Sequence, residues 1–212
     1  MRLTKLVHAC VRLEKDGAVL VIDPGAYSGP DSMDGADAVL ITHEHFDHMQ
    51  PDTLRAALSG NPGLRVWAGS SVAGQFTDLG DRVRAVAHGD EFTAAGFTVH
   101  VYGSRHALLH PEIPVVENVG FLVDGEVFHP GDALTVPEDP VGTLLLPISG
   151  PWLKLSDMID YGRAVAPRRG YAIHDALLSP IGLGLIERFL GLAAGTTGAV
   201  FSRLEPGTTV DL

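Results

Sequence analysis

The stretch Ala38-Val39-Leu40-Ile41-Thr42-His43-Glu44-His45-Phe46-Asp47-His48 decides how this chain is read. Its first four residues are a short apolar run of the kind that forms a buried strand. The six residues from His43 to His48 then concentrate three imidazoles and the Asp47 carboxylate at the strand end. Imidazole nitrogen and carboxylate oxygen are the donors that catalytic zinc takes. In an extended segment residues 43, 45 and 47 project to one side, and a turn after Asp47 brings His48 round to the same place. Four ligands from one loop exceed the needs of one ion, so the spacing points to two adjacent ions. The pattern H-x-H-x-D-H is far stricter than an isolated histidine.

The remainder of the chain limits the alternatives. Its 212 residues suffice for one domain with a real core, read as a single domain over 1–212. Hydrophobic residues make up 45% and charged residues 19%, which is a globular composition. The formal net charge of -11 argues against a nucleic-acid binder, because a phosphate backbone demands a basic surface. The single cysteine, Cys10, cannot form an intrachain disulfide and reads as a small core residue. There is no leader-like segment and no apolar run of about twenty residues, so neither secretion nor a membrane span is expected and the cytoplasm is the default location.

Working outward, Leu6–Leu13 and Ala18–Ile22 read as strands joined across Asp16-Gly17, a hairpin signal, with Asp23-Pro24 ending the second. Pro51–Leu58 reads as a helix, Leu64–Ala68 as a strand and Ser70–Leu79 as a second helix. Strands follow at Val83–Ala87, Glu91–Thr93 and Phe97–Tyr102. The second half repeats the logic, with strands at Val119–Val123, Glu126–Phe128, Thr143–Leu146 and Gly170–Ile173, helices at Ser156–Val165 and Ala176–Leu192, and a closing strand at Thr208–Leu212. Strand groups followed by helices in each half predict an α/β fold of two mixed β-sheets packed face to face with helices outside. Three further segments put ligand-type residues just after strands: His106, Asp132 and His174. Strand-to-loop transitions are where a rigid scaffold holds a ligand in place.

These motifs together resemble the metallo-β-lactamase superfamily, and within it the metal-dependent hydrolases related to ascorbate-6-phosphate lactonase. The resemblance rests on His8-Ala9-Cys10 and Asp23-Pro24 near the start, on His43, His45, Asp47 and His48, on Ser104-Arg105-His106, on Asn118-Val119-Gly120-Phe121, on His129-Pro130-Gly131-Asp132 and on Ile173-His174. It implies an αββα sandwich. It further implies that His43, His45 and His106 hold one metal, that Asp47, His48 and His174 hold the other, and that Asp132 bridges them. Asp23 then supports the metal loop from beneath by accepting hydrogen bonds. His8 either approaches the site or is a hydrogen-bonded structural histidine, the latter being preferred. His88, His100 and His110 receive no metal role. Val7 stands where the family has glycine, Pro130 where a small polar residue is more familiar, and Asp175-Ala176-Leu177-Leu178 departs from the family after His174.

The implied cofactors are two divalent metal ions, zinc first, with manganese or iron as alternatives because ligand type alone discriminates poorly. The implied chemistry is hydrolysis of a small ester, lactone, amide or phosphodiester by a hydroxide bridging the ions, with Asp47 and Asp132 as the catalytic carboxylates. Arg105 is the best candidate for a substrate contact, ahead of Trp152 and Lys154. Three alternatives stand beside this reading. A nuclease or phosphodiesterase is disfavoured by the acidic charge. A di-iron redox protein is disfavoured because His45 occupies a position where such proteins carry an acidic residue. A non-catalytic metal-binding member is disfavoured because all seven ligand positions are filled.

Overall fold

The computed structural model describes residues 1–195 and 197–212. The strands are β1 (Arg2–Lys5), β2 (Val11–Lys15), β3 (Ala18–Ile22), β4 (Ala38–Ile41), β5 (Arg65–Ala68), β6 (Val83–Ala85), β7 (Glu91–Ala94), β8 (Phe97–Tyr102), β9 (Gly120–Val123), β10 (Val127–His129), β11 (Thr143–Pro147), β12 (Arg169–Ile173), β13 (Val200–Ser202) and β14 (Thr209–Asp211). The α-helices are α1 (Pro51–Gly60), α2 (Ser70–Ala73), α3 (Leu155–Val165) and α4 (Pro180–Ala193). Two seven-stranded sheets result, ordered β14-β1-β2-β3-β4-β5-β6 and β13-β12-β11-β10-β9-β8-β7. Each has an antiparallel half and a parallel half, the change coming at β3 in the first sheet and at β10 in the second.

The period of two in the strands explains the layering. Leu20, Ile22, Ala38 and Leu40 face Val99, Phe121, Val123, Leu145 and Ile173 in a core shared by both sheets. The alternate residues Val19, Val21, Val39 and Ile41 pack on the outer side with Leu54 and Leu58 of α1. Leu144, Leu146 and Ala172 likewise turn outward to Met158 and Tyr161 of α3 and Leu190 of α4. Strands buried on both faces favour apolar residues at successive positions, which is why β4 is wholly apolar and β11 carries Leu144-Leu145-Leu146. The result is the αββα sandwich that the pattern predicts. Among the described residues no helix is long and apolar enough to cross a membrane.

Local expectations differ from the structure in four places. Leu6–Leu13 is not one strand: the chain reverses between β1 and β2 around His8, whose φ is 61°, closed by Leu6 N–H to Cys10 C=O at 2.9 Å. No Gly, Pro or Asn marks that turn. The helix expected at Ser70–Leu79 stops at Ala73 and continues as a kinked 3-10 segment, Gly74–Arg82, because Phe76 and Gly80 leave helical geometry. The last helix begins at Pro180, with Ser179 as its cap, rather than at Ala176. β13, which extends the second sheet, carries no distinct sequence signal.

Candidate metal centre

Every ligand-type residue singled out from the sequence lies on a loop that leaves the same end of the sandwich. β4 delivers His43, His45, Asp47 and His48, while β8, β10 and β12 deliver His106, Asp132 and His174. The β4 loop turns earlier than expected: it bends over Phe46–His48, with His48 N–H donating to His45 C=O at 3.0 Å, rather than after Asp47. The turn fits only because residue 25 is glycine. A Cβ there would stand 2.0 Å from the Asp47 carbonyl oxygen.

Two groups of donor atoms form, His43, His45, His106 and Asp132 on one side and His8, Asp47, His48 and His174 on the other, each within 4.8 Å. Asp132 stands between them. One of its oxygens lies 3.1 Å from His48 Nε2. The other lies 3.0 Å from His174 Nε2, 3.4 Å from His106 Nε2 and 3.9 Å from His43 Nε2. The His43 Nε2 and His45 Nδ1 atoms face each other at 3.1 Å.

Hydrogen bonds behind the rings decide which nitrogen each imidazole offers. Asp23 accepts from Thr42 N–H and the Thr42 hydroxyl, both at 2.7 Å, and from His48 Nδ1–H at 2.7 Å. The Thr42 hydroxyl, having donated to Asp23, accepts from His43 Nδ1–H at 3.0 Å. His106 Nδ1–H donates to the Ala107 carbonyl at 2.6 Å. His43, His48 and His106 therefore all present an Nε2 lone pair to the centre. Buried there without a hydrogen-bond partner are His48 Nε2, His106 Nε2, Asp132 Oδ1 and both nitrogens of His174. Orphaned buried donors and acceptors of this chemistry are what a bound divalent cation satisfies, so the residues fit the metals their pattern implies.

The charges follow from this crowding. Burial pushes His43 well below the ordinary imidazole value, and neighbouring His48 adds to it. Burial opposes a charge on His48 too, but the carboxylates of Asp132 and Asp23 outweigh it and hold His48 well above that value. Burial likewise opposes ionisation of Asp132, and the imidazoles of His48, His106 and His174 overcome it, holding the carboxyl well below the usual range.

Seven described non-glycine residues adopt positive φ; four sit at turns or a helix end away from the centre, and the other three, His8, Asp23 and His174, are at the centre. Left-handed backbone costs about 1–3 kcal/mol at such a residue and persists where surrounding contacts over-determine it. The contacts are present: His174 N–H donates to the His8 carbonyl at 3.1 Å, and the Ser149 hydroxyl donates to the His174 carbonyl.

His8 belongs to the site rather than to the fold alone. Its Nδ1 accepts from Ala176 N–H at 3.3 Å, which leaves Nε2–H to donate to Asp47 Oδ2 at 3.1 Å. Arg105 is exposed beside buried His106 and is not among the residues lining the cavity over the ligands. Lys154 is exposed and outside as well, whereas Trp152 lines the cavity and donates its Nε1–H to Asp132 at 3.0 Å. His88, His100 and His110 stand outside both groups.

Three supports escaped the sequence reading. Buried Asn118 clamps the Asp132 loop, accepting from Asp132 N–H at 3.0 Å and donating to the Pro130 carbonyl at 2.9 Å. His129 accepts from Gly131 N–H at 3.1 Å and donates to the Ala9 carbonyl at 2.8 Å. Lys5 pairs with Asp175 at 3.2 Å, both buried, tying β1 to the residue after His174. The first two lie inside motifs that were visible. The third joins residues 170 positions apart and has no local signal.

The cavity above the ligands has a volume of about 360 Å³ and is lined by His45, Asp47, His106, Asp132 and His174 together with apolar side chains. A larger groove of about 630 Å³ between Pro30–Gly35 and α1 has no histidine in its lining, so the smaller cavity is the one that carries chemistry.

Comparison with known proteins agrees with this geometry. Residues 2–174 match the model of the beta-lactamase superfamily domain. The chain is 42% identical over 191 residues to protein Rv0786c of Mycobacterium tuberculosis, covering 87% of this chain and 89% of that one. It is 34% identical over 166 residues to a UPF0173 metal-dependent hydrolase of Methanosphaerula palustris, covering 71% and 72%. Among solved structures, the metallo hydrolase Igni18 of Ignicoccus hospitalis superposes with a TM-score of 0.75 at 21% identity, covering 99% of this chain and 97% of that one, a likeness of fold. With the family model spanning most of its length and the fold and histidine loop in place, the chain belongs to the metallo-β-lactamase superfamily.

Proposed function

We propose that this chain hydrolyses a small ester, lactone, amide or phosphodiester at a centre holding two divalent ions, zinc first among them. Relatives aligned over some seven-tenths of their length carry the name metal-dependent hydrolase, and the chain is one. The observation that carries the finer reading is the position of Asp132, one oxygen of which lies 3.4 Å from His106 Nε2 of the first group and 3.0 Å from His174 Nε2 of the second, while its other oxygen lies 3.1 Å from His48 Nε2. His43, His45 and His106 hold the first ion, and Asp47, His48 and His174 the second, with Asp132 shared. When bound, the ions bring water towards ionisation at neutral pH and polarise the group under attack.

The chain's own residues do the rest. Asp47 accepts the His8 Nε2–H hydrogen bond on one oxygen and, so fixed, orients the attacking water. Trp152 Nε1–H fixes the Asp132 oxygen that both groups approach. The apolar rim keeps bulk water from the reacting bond, which strengthens each electrostatic contact inside. No serine or cysteine nucleophile is needed, and Cys10 is buried away from the cluster. The lone buried thiol and the acidic surface support a single catalytic domain working in the cytoplasm on a small molecule.

Elemental analysis after zinc reconstitution tests this, with two ions per chain expected. Asp132→Ala should loosen both ions and abolish hydrolysis across a panel of esters, lactones and phosphodiesters. His174→Ala should weaken one ion selectively. A saturated stoichiometry of one, or an Asp132→Ala variant that still turns over, sinks the two-ion reading.

A further inference from the structure

We propose that the substrate is an uncharged acyl compound, an ester, lactone or amide bearing an apolar chain, and that the wall above the ligands selects it. This deepens the hydrolase reading and rests on it. The same loops that carry the ligands also build the wall. Tyr27 follows Asp23, Phe46 stands between His45 and Asp47, Leu109 follows His106, Pro151 and Trp152 leave β11, and Leu177 follows His174. Tyr27 and Phe46 meet edge to face with ring centroids 5.6 Å apart. Trp152 spends its one polar atom on Asp132, so only its apolar ring is left to line the cavity. Phe46 remains 58% exposed and Leu177 54% exposed, large apolar groups held in water at the entrance to a cleft. Such groups gain free energy when a ligand covers them.

The charges exclude the opposite class. Among the described residues no lysine or arginine lines this cavity, and the two lining carboxylates, Asp47 and Asp132, sit in a chain of net charge -11. A phosphate or carboxylate tail away from the scissile bond would meet no cation, and apolar walls would strip its water. In the hydrolysis itself one water is consumed: the acyl carbon–oxygen or carbon–nitrogen bond breaks, the water oxygen joins the acyl carbon, and the leaving alcohol or amine takes a proton.

Binding to the metal-free protein separates this preference from catalysis. Methyl esters of straight-chain acids from butanoate to octanoate, and monomethyl esters of the dicarboxylic acids of matching length, are titrated against tryptophan fluorescence, with Trp152→Phe identifying the signal from the cavity. For the neutral series Kd should fall about fourfold per added methylene until the cavity is full. The carboxylate-tipped partners should bind about tenfold more weakly or worse. The double variant Phe46→Ser/Leu177→Ser, altered only at exposed side chains, should flatten the neutral series. A series flat in the parent protein, or carboxylate-tipped esters that bind equally well, overturns the proposal. The zinc-loaded protein is then assayed on the same compounds. Chain-length-dependent binding without cleavage leaves the wall's preference standing and removes the hydrolase reading. Equal cleavage of neutral and anionic esters does the reverse.

Discussion

Asp23 and His48, 25 positions apart and both fully buried, are joined by a 2.7 Å hydrogen bond from His48 Nδ1 to the Asp23 carboxylate. The same carboxylate takes the Thr42 amide and hydroxyl, so one side chain at the end of β3 sets both the start of the metal loop and the face of its last histidine. Asp23→Asn replaces an acceptor by a group that also carries two donors, and removes the charge facing His48. Metal affinity should fall about 10–100-fold, as for other groups that orient a metal ligand. Competition against a chromophoric chelator measures this, and an unchanged affinity would show the contact to be dispensable.

His48 also sets a pH dependence. In the metal-free chain its pKa is raised, despite the burial that opposes its charge, by Asp132 and Asp23. A raised imidazole pKa stabilises the metal-free fold fully below the unfolded value of about 6.5, and that contribution is lost as pH rises through the folded value. A metal must displace this proton. Metal affinity should therefore climb by up to about tenfold per pH unit until the His48 value is passed, with proton release on binding. Calorimetry at pH 7 in buffers of different ionisation enthalpy reads the release; none at all would contradict the assignment.

Gly25→Ala tests the packing of the loop without touching a donor. The added Cβ meets the Asp47 carbonyl oxygen at 2.0 Å and the His48 nitrogen at 2.5 Å, all backbone atoms that cannot swing aside. A cost of about 1–3 kcal/mol or more in stability is expected, as for other overpacked sites, together with loss of tight metal binding. Gly60→Ala, where nothing lies within 4 Å, is the control and should be tolerated. Thermal melts and metal titration of the two variants give the comparison, and similar behaviour would refute the steric account.

The Lys5–Asp175 pair invites a double change. Burial lowers the Lys5 pKa, the Asp175 carboxylate working against it. Lys5→Met alone leaves Asp175 buried without its partner and should cost about 3–5 kcal/mol, whereas Lys5→Met with Asp175→Leu should recover most of that loss. Denaturant melts of the two variants decide it. A single variant as stable as the parent would mean that the pair does not hold β1 against the His174 turn.

Cys10 should be inert in the folded protein. It is 1% exposed, and burial pushes its thiol up to about 12. Thiolate is the reactive form, so a thiol reagent at pH 8 should label nothing until denaturant is added. Stoichiometric labelling of the native chain would place Cys10 at the surface.

The sequence alone determined the layers and most of the donor set. Period-two apolar strands dictate two faces per sheet, and a strand as apolar as Ala38–Ile41 has to be covered on both. H-x-H-x-D-H carries its chemistry in the spacing, so His43, His45, Asp47 and His48 were legible wherever the strand went. Their meeting with His106, Asp132 and His174 was legible only through family resemblance, because nothing local says that loops after β8, β10 and β12 converge. What tertiary structure alone decided are the contacts whose partners lie far apart in the chain. His8 reaches Asp47 and Ala176, Lys5 reaches Asp175, Asn118 grips the Asp132 loop, and Gly25 makes room for a turn some 20 residues later. Each depends on burial. A histidine, a lysine, an asparagine or a glycine reads as an ordinary surface or turn residue until the fold removes its water and leaves one protein group in reach to replace it.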